Sequence, residues 1–196
     1  MLTQREFGRQ LIHMFMGFFI VTLIYFEIFT PIILFLCIIV GFLLSFICKY
    51  KRIPIISHFL DWFERDSATF PGKGMIFFFI GTLLVVELFP LKIALASVMV
   101  LAFGDSWSHI IGARIGKMKN IFNGHSKKLF EGTFAGTLFG FFGALLFVPV
   151  PEAFFGALGA MIAEVVEIQF NESELDDNIV VPLVAGTIML IVSKLI

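Results

Sequence analysis

Asp105 stands directly after an apolar stretch and Glu131 directly before another, and the run between them carries spaced glycines and a cluster of cations. A carboxylate carried into the apolar part of a membrane costs several kcal/mol unless it is paired, solvated in a cavity or bound to a metal, so Asp105 reads as a functional group. Lys127, Lys128, Glu131 and Thr133 lie together at the entry to the next apolar run. Two ammonium groups neutralise a polyphosphate, and a carboxylate one turn on holds Mg²⁺ or accepts a proton. Gly112 and Gly116, flanked by Arg114, Lys117 and Lys119, fit either of two uses. They pack helices closely, or they offer exposed amides to phosphates. Gly132, Gly136 and Gly140 read as packing residues.

Other polar residues in apolar surroundings extend this set. Glu164 lies inside an apolar stretch, and Asp176-Asp177-Asn178 precede the last one. Asp177 or Asn178 suits a helix N-cap, while an acidic loop on a basic face also suits metal binding or pairing with the lysines. Glu6, Arg9 and His13 recur at three- and four-residue intervals and so share one helix face. Arg65 and Lys73 bracket an insert that ends Pro71-Gly72-Lys73-Gly74, and either suits a membrane-surface anchor.

These residues need a scaffold, and composition dictates its kind. Of 196 residues, 59% are hydrophobic, 27 are Phe and only 15% are charged; mean hydropathy is +0.99. Soluble domains run nearer about 45–50% apolar and about 25% charged, so the expectation is an integral membrane protein with a single domain over 1–196. A net charge of -1 argues against nucleic acid as a partner. Cys37 and Cys48 share one apolar stretch and, at about 1.5 Å per helical residue, lie ~16 Å apart, so they read as buried thiols rather than a disulfide. Arg5 and Arg9 precede the first apolar run, but no small-x-small cleavage site follows it, which predicts an uncleaved first span.

The fold class expected is all-α, a polytopic bundle of about seven transmembrane helices over residues 11–29, 32–48, 74–89, 91–111, 133–149, 153–168 and 179–196. Pro90 predicts a tight turn between the third and fourth. Alternating the spans gathers all of the 14 Lys and Arg except Lys92 and Lys194 on one side. The positive-inside rule makes that side, with the N-terminus, cytoplasmic. All four histidines, His13, His58, His109 and His125, lie on or near the same side. The insert of residues 49–73 carries Pro54, His58 and Trp62 among apolar residues and reads as an interfacial amphipathic helix or an ordered loop.

Taken together, the chain resembles the CTP-dependent lipid-alcohol kinases: dolichol, phytol and other polyprenol kinases and the CTP-dependent diacylglycerol kinase. The resemblance rests on Gly104-Asp105, Gly112, Gly116-Lys117 and Lys127-Lys128-Leu129-Phe130-Glu131-Gly132-Thr133, on the helix from Glu6 to His13, and on Glu164 followed by Asp177-Asn178. Leu129 stands where the family usually has Ser, and Ser108 where a small apolar residue is common. The longer signature of the related phosphatidate cytidylyltransferases is absent, which prefers phosphoryl over nucleotidyl transfer.

The resemblance implies a CTP-dependent kinase that phosphorylates a polyprenol-type alcohol at the cytoplasmic face. Diacylglycerol is the second choice of substrate, nucleotidyl transfer an alternative, and an ion-coupled transporter the competing non-enzyme reading. The implied partners are CTP, a membrane lipid alcohol and the bilayer, with a homodimer left open. Lys127, Lys128, Arg114 and Lys117, with Gly112, Gly116, Thr133 and Asn178, would hold CTP. Asp105 with Glu131 or Asp177 would hold Mg²⁺, and Asp105 or Glu131 would take the proton.

Overall fold

Among the described residues, seven helices form where the seven apolar runs stand. The computed structural model describes residues 2–51, 53, 69–121, 128–166, 169–170 and 173–196. Helix α1 covers Gln4–Tyr25, α2 Pro31–Tyr50 and α3 Lys73–Leu88. The α4 helix runs Leu91–Ile115, α5 Phe130–Ala144, α6 Val150–Val166 and α7 Asp177–Leu195. Before α7 a minimal antiparallel hairpin pairs β1, Gln169–Phe170, with β2, Ser173–Glu174. Among the described residues, four helices, α1, α2, α4 and α7, are long and apolar enough to cross a membrane. The insert expected as an interfacial helix, with Arg65, lies largely outside the described residues, as does Lys127.

Local chemistry sets the helix ends. Thr3 caps α1, its hydroxyl accepting from the Glu6 amide at 3.1 Å, so α1 starts seven residues before its apolar run. Its other end closes with Ile28 N–H donating to Leu23 O and Glu27 N–H to Ile24 O, both at 2.9 Å, around Glu27 at φ 59°. That is a Schellman turn with glutamate where glycine is usual. Thr30 and Pro31 start α2, and Pro90 separates α3 from α4 as expected. Gly72, at φ 77°, takes a left-handed conformation before α3 that a side chain would strain. Asp176 caps α7, accepting from the Asn178 amide at 3.2 Å. The cap was expected at Asp177 or Asn178.

Helix α4 is the centre of the bundle, packed against α1, α3, α5, α6 and α7. Lipid tails are as apolar as leucine, so association of such helices depends on close van der Waals fit, and small residues provide it. Gly104, Ser108 and Gly112 of α4 meet a seam of Gly132, Gly136 and Gly140 on α5. A Cβ on Gly132 would lie 2.6 Å from Ser108 O, and one on Gly136 would lie 2.8 Å from Gly104 O. On the other side, Gly17 of α1 meets Ala102, and the Ser106 hydroxyl donates to Gln10 O at 3.2 Å. Pro182 inside α7 lacks the N–H that would bond Asn178 O four residues back. Gly81 of α3 lies against that carbonyl, where any side chain would collide with it.

Within α4 the turn Val100–Asp105 is π-helical. Such turns insert an extra residue into the ladder and are frequent at functional sites. The insertion ends at Asp105 and sets the phase of the following turn, Ser106 to His109.

Candidate functional site: a buried acid, histidine and lysine cluster

Asp105 and His109 lie one turn apart on α4, with His109 Nε2 3.4 Å from Asp105 Oδ1. Glu164, near the end of α6, brings a third group, and one ligand atom from each of Asp105, His109 and Glu164 falls within 4.8 Å of the others. Both acids are buried, Asp105 at 6% and Glu164 at 1% exposure. Lys128 enters from the segment before α5. Its Nζ is 2.7 Å from Glu164 Oε1 and 2.9 Å from Asp177 Oδ2 at the start of α7. Burial alone would lower the Lys128 pKa, but the carboxylates of Glu164, Asp177 and Asp105 outweigh it and raise it above the ordinary lysine value. His13 also lies within electrostatic reach of Asp105, and Glu6 within reach of His109.

The segment carrying Lys128 is held by a small clasp. Lys119 and Leu129 form an antiparallel bridge, and Phe130 N–H donates to Met118 O at 3.1 Å. Glu131 secures it: one carboxylate oxygen accepts from the Lys117 amide at 2.8 Å, and the Met118 amide donates at 3.1 and 3.2 Å. Its own amide and those two keep the Glu131 pKa below the usual glutamate range. Thr133 takes part too, its hydroxyl accepting from buried Asn120 Nδ2 at 2.7 Å. Of the four residues read as one constellation, the three described ones diverge: Lys128 turns inward, while Glu131 and Thr133 hold backbone and Asn120.

The remaining expected residues sort by the same geometry. Asn178 Nδ2 donates to Asp176 Oδ1 at 2.8 Å, and Lys73 Nζ approaches Asp176 Oδ2 at 3.6 Å. Arg9 pairs with Glu6, which also accepts from Gln10 Nε2 at 2.9 Å. His13 packs edge-on against Phe78 of α3, ring centres 5.2 Å apart. Arg114 and Lys117 are exposed. Gly112 lies against Gly132, and Gly116 against Leu129 and Gly112 O, so of the two uses left open for these glycines packing is the one seen. The metal set read from sequence was Asp105, Glu131 and Asp177; the metal-capable donors brought together among the described residues are Asp105, His109 and Glu164. His109 was missed as a site residue, although its four-residue offset from Asp105 places both on one helix face.

Fold and site define an all-helical membrane protein with a buried, ionisable centre at one end of its bundle. The chain is 33% identical over 187 residues to a protein of Methanocaldococcus jannaschii described as uncharacterized protein MJ1137, a match covering 94% of this chain and 93% of the archaeal one. It belongs to that protein's family. No family model matches the chain, and no solved structure does.

Proposed function

We propose that the protein is a seven-span membrane kinase that transfers the γ-phosphate of CTP to the hydroxyl of a polyprenol-type lipid alcohol at the cytoplasmic face. The observation that carries this reading is the convergence of Asp105, His109, Glu164, Asp177 and Lys128 at one end of the bundle. Phosphoryl transfer needs mainly positioning and charge neutralisation, because its transition state spreads charge over the transferred oxygens. CTP as donor, and a lipid alcohol as acceptor, rest on the resemblance of the motifs.

Asp105 and Glu164 fit Mg²⁺, which takes oxygen ligands and is often held by one or two carboxylates plus substrate phosphates. Bound there, the ion would supply charge neutralisation at the phosphate oxygens. The chain's own residues do the rest. Lys128, already fixed between two carboxylates, presents an ammonium to the triphosphate, and exposed Arg114 and Lys117 add positive charge at the mouth of the site. The alcohol oxygen adds to the γ-phosphorus, the bond to the bridging oxygen breaks, CDP departs, and the hydroxyl proton passes to Asp105. Glu131, the other expected proton acceptor, is occupied by backbone amides and leaves that role to Asp105.

Transfer of labelled γ-phosphate from CTP or ATP to a panel of lipid alcohols by the full chain in vesicles tests the proposal. Transfer from CTP to a polyprenol, lost in Asp105→Asn, is expected. No transfer to any alcohol would overturn it.

A further inference from the structure

We infer that Asp105, His109 and Glu164 form a mixed oxygen and nitrogen site for a first-row divalent cation of the Mn²⁺ kind, in which His109 selects the metal. The inference deepens the kinase reading, because it concerns the same cluster.

Charge carries the first part of the argument. Among the described residues, the carboxylates of Asp105, Glu164 and Asp177 face the ammonium of Lys128, with His109 and His13 within electrostatic reach of Asp105. Lys128 contacts Glu164 through Oε1, and Glu164 Oε2 is buried with no hydrogen-bond donor among the described residues. Among the described residues, Asp105 Oδ1 is likewise buried without a well-formed hydrogen bond, and His109 Nε2 lies 3.4 Å from it. Buried carboxylate oxygens without donors are costly, and a coordinated cation removes that cost.

Geometry and donor type carry the second part. Two donors one turn apart on α4 meet a third from α6 within 4.8 Å. Ligand atoms about 2.1 Å from one ion lie roughly 3 to 4 Å from each other, so small side-chain rotations close the site. Two carboxylates alone would suit Mg²⁺ or Ca²⁺, which favour oxygen. An imidazole in the same group shifts preference toward transition ions, which bind nitrogen well.

The test is an electron paramagnetic resonance titration of free Mn²⁺ with the purified full chain in nanodiscs, without nucleotide, and with Mg²⁺ as competitor. One saturable Mn²⁺ per chain is expected. Glu164→Gln should weaken it about tenfold or more. Because Glu164 also pairs with Lys128 and its replacement could disturb folding, His109→Gln on the more exposed side chain is the second variant. It should abolish the preference for Mn²⁺ while Mg²⁺ competes as before. Absence of saturable Mn²⁺ binding by the native chain, or an unchanged Mn²⁺ preference in His109→Gln, would overturn the inference. Mn²⁺ binding without phosphate transfer to any alcohol would uphold this site and defeat the kinase reading. Transfer with Mg²⁺ alone and no Mn²⁺ site would do the reverse.

Discussion

Helices α2 and α4 are both long apolar segments, yet the more apolar of the two is the one left outside. Only 17% of the α2 window is buried, against 83% of the α4 window. Phe35, Leu36, Leu43 and Phe46 project from α2, whereas Asp105, Ser97, Ser106 and Ser108 of α4 are sealed inside the bundle. In a soluble protein the most apolar helix is the core helix. Here lipid takes the apolar faces, and polar groups withdraw to where other side chains can satisfy them. Hydropathy therefore locates the lipid-facing elements, and departures from it locate the site.

The largest expected effect comes from the charges that α4 and its neighbours enclose. Lys128→Met strands Glu164 and Asp177, and loss of one member of a buried ion pair costs about 3–5 kcal/mol. Denaturant unfolding in micelles should register that loss, and adding Glu164→Gln should recover most of it. Failure of the second change to recover stability would mean that Lys128 holds its segment by packing rather than by charge.

A smaller effect separates two neighbouring glycines on the α4 and α5 seam. Gly132→Ala places a methyl 2.6 Å from Ser108 O and should cost about 1–3 kcal/mol as the helices are forced apart. A methyl on Gly112 meets Gly132 Cα at 3.5 Å, an ordinary contact, so thermal midpoint and phosphate transfer should both survive Gly112→Ala. Loss of transfer alone would restore the phosphate-cradling role left open from sequence. On α2 the contrast is sharper: Leu43→Ala, facing outward, should shift stability by less than about 0.5 kcal/mol.

The smallest effect is a pH dependence at the clasp. Glu131 has its pKa depressed below the ordinary 4.5 by its own amide and those of Lys117 and Met118. Its contribution is therefore fully present above that value and is lost as pH falls through the folded pKa. Hydrogen exchange at the Lys117 and Met118 amides, corrected for intrinsic rates, should show protection at pH 6 that fades toward pH 3. In Glu131→Gln this pH-dependent component should vanish.

Much of this architecture is legible in the chain because apolar runs of helix length are set apart by polar and proline-bearing turns. Each of the seven apolar runs coincides with a helix, and Pro90 marks its turn. Helix starts rich in polar residues, such as Thr3 to Gln10, escape a hydropathy reading because capping rather than apolarity decides them. Asp105, Glu164, Asp177 and Lys128 stand out as charges in apolar or basic surroundings, and they do converge. Glu131 stood out for the same reason but turns the other way, since the Lys119–Leu129 bridge that orients it is a nonlocal pairing. The π turn before Asp105 has no signature in residue type, and His109, placed from sequence only on the basic side, does not read as a site residue because a histidine near a membrane surface is unremarkable by itself.

The proposed phosphoryl transfer to a lipid alcohol depends on the cluster around Asp105. Its most direct test is the initial rate of γ-phosphate transfer from CTP to a polyprenol in vesicles, native chain beside Asp105→Asn, with both shown folded by their unfolding midpoints. Transfer by the native chain is expected, with a fall of about 100-fold or more in the variant, equivalent to about 2.7 kcal/mol of barrier. An undiminished rate in Asp105→Asn, or no transfer by the native chain, would contradict it.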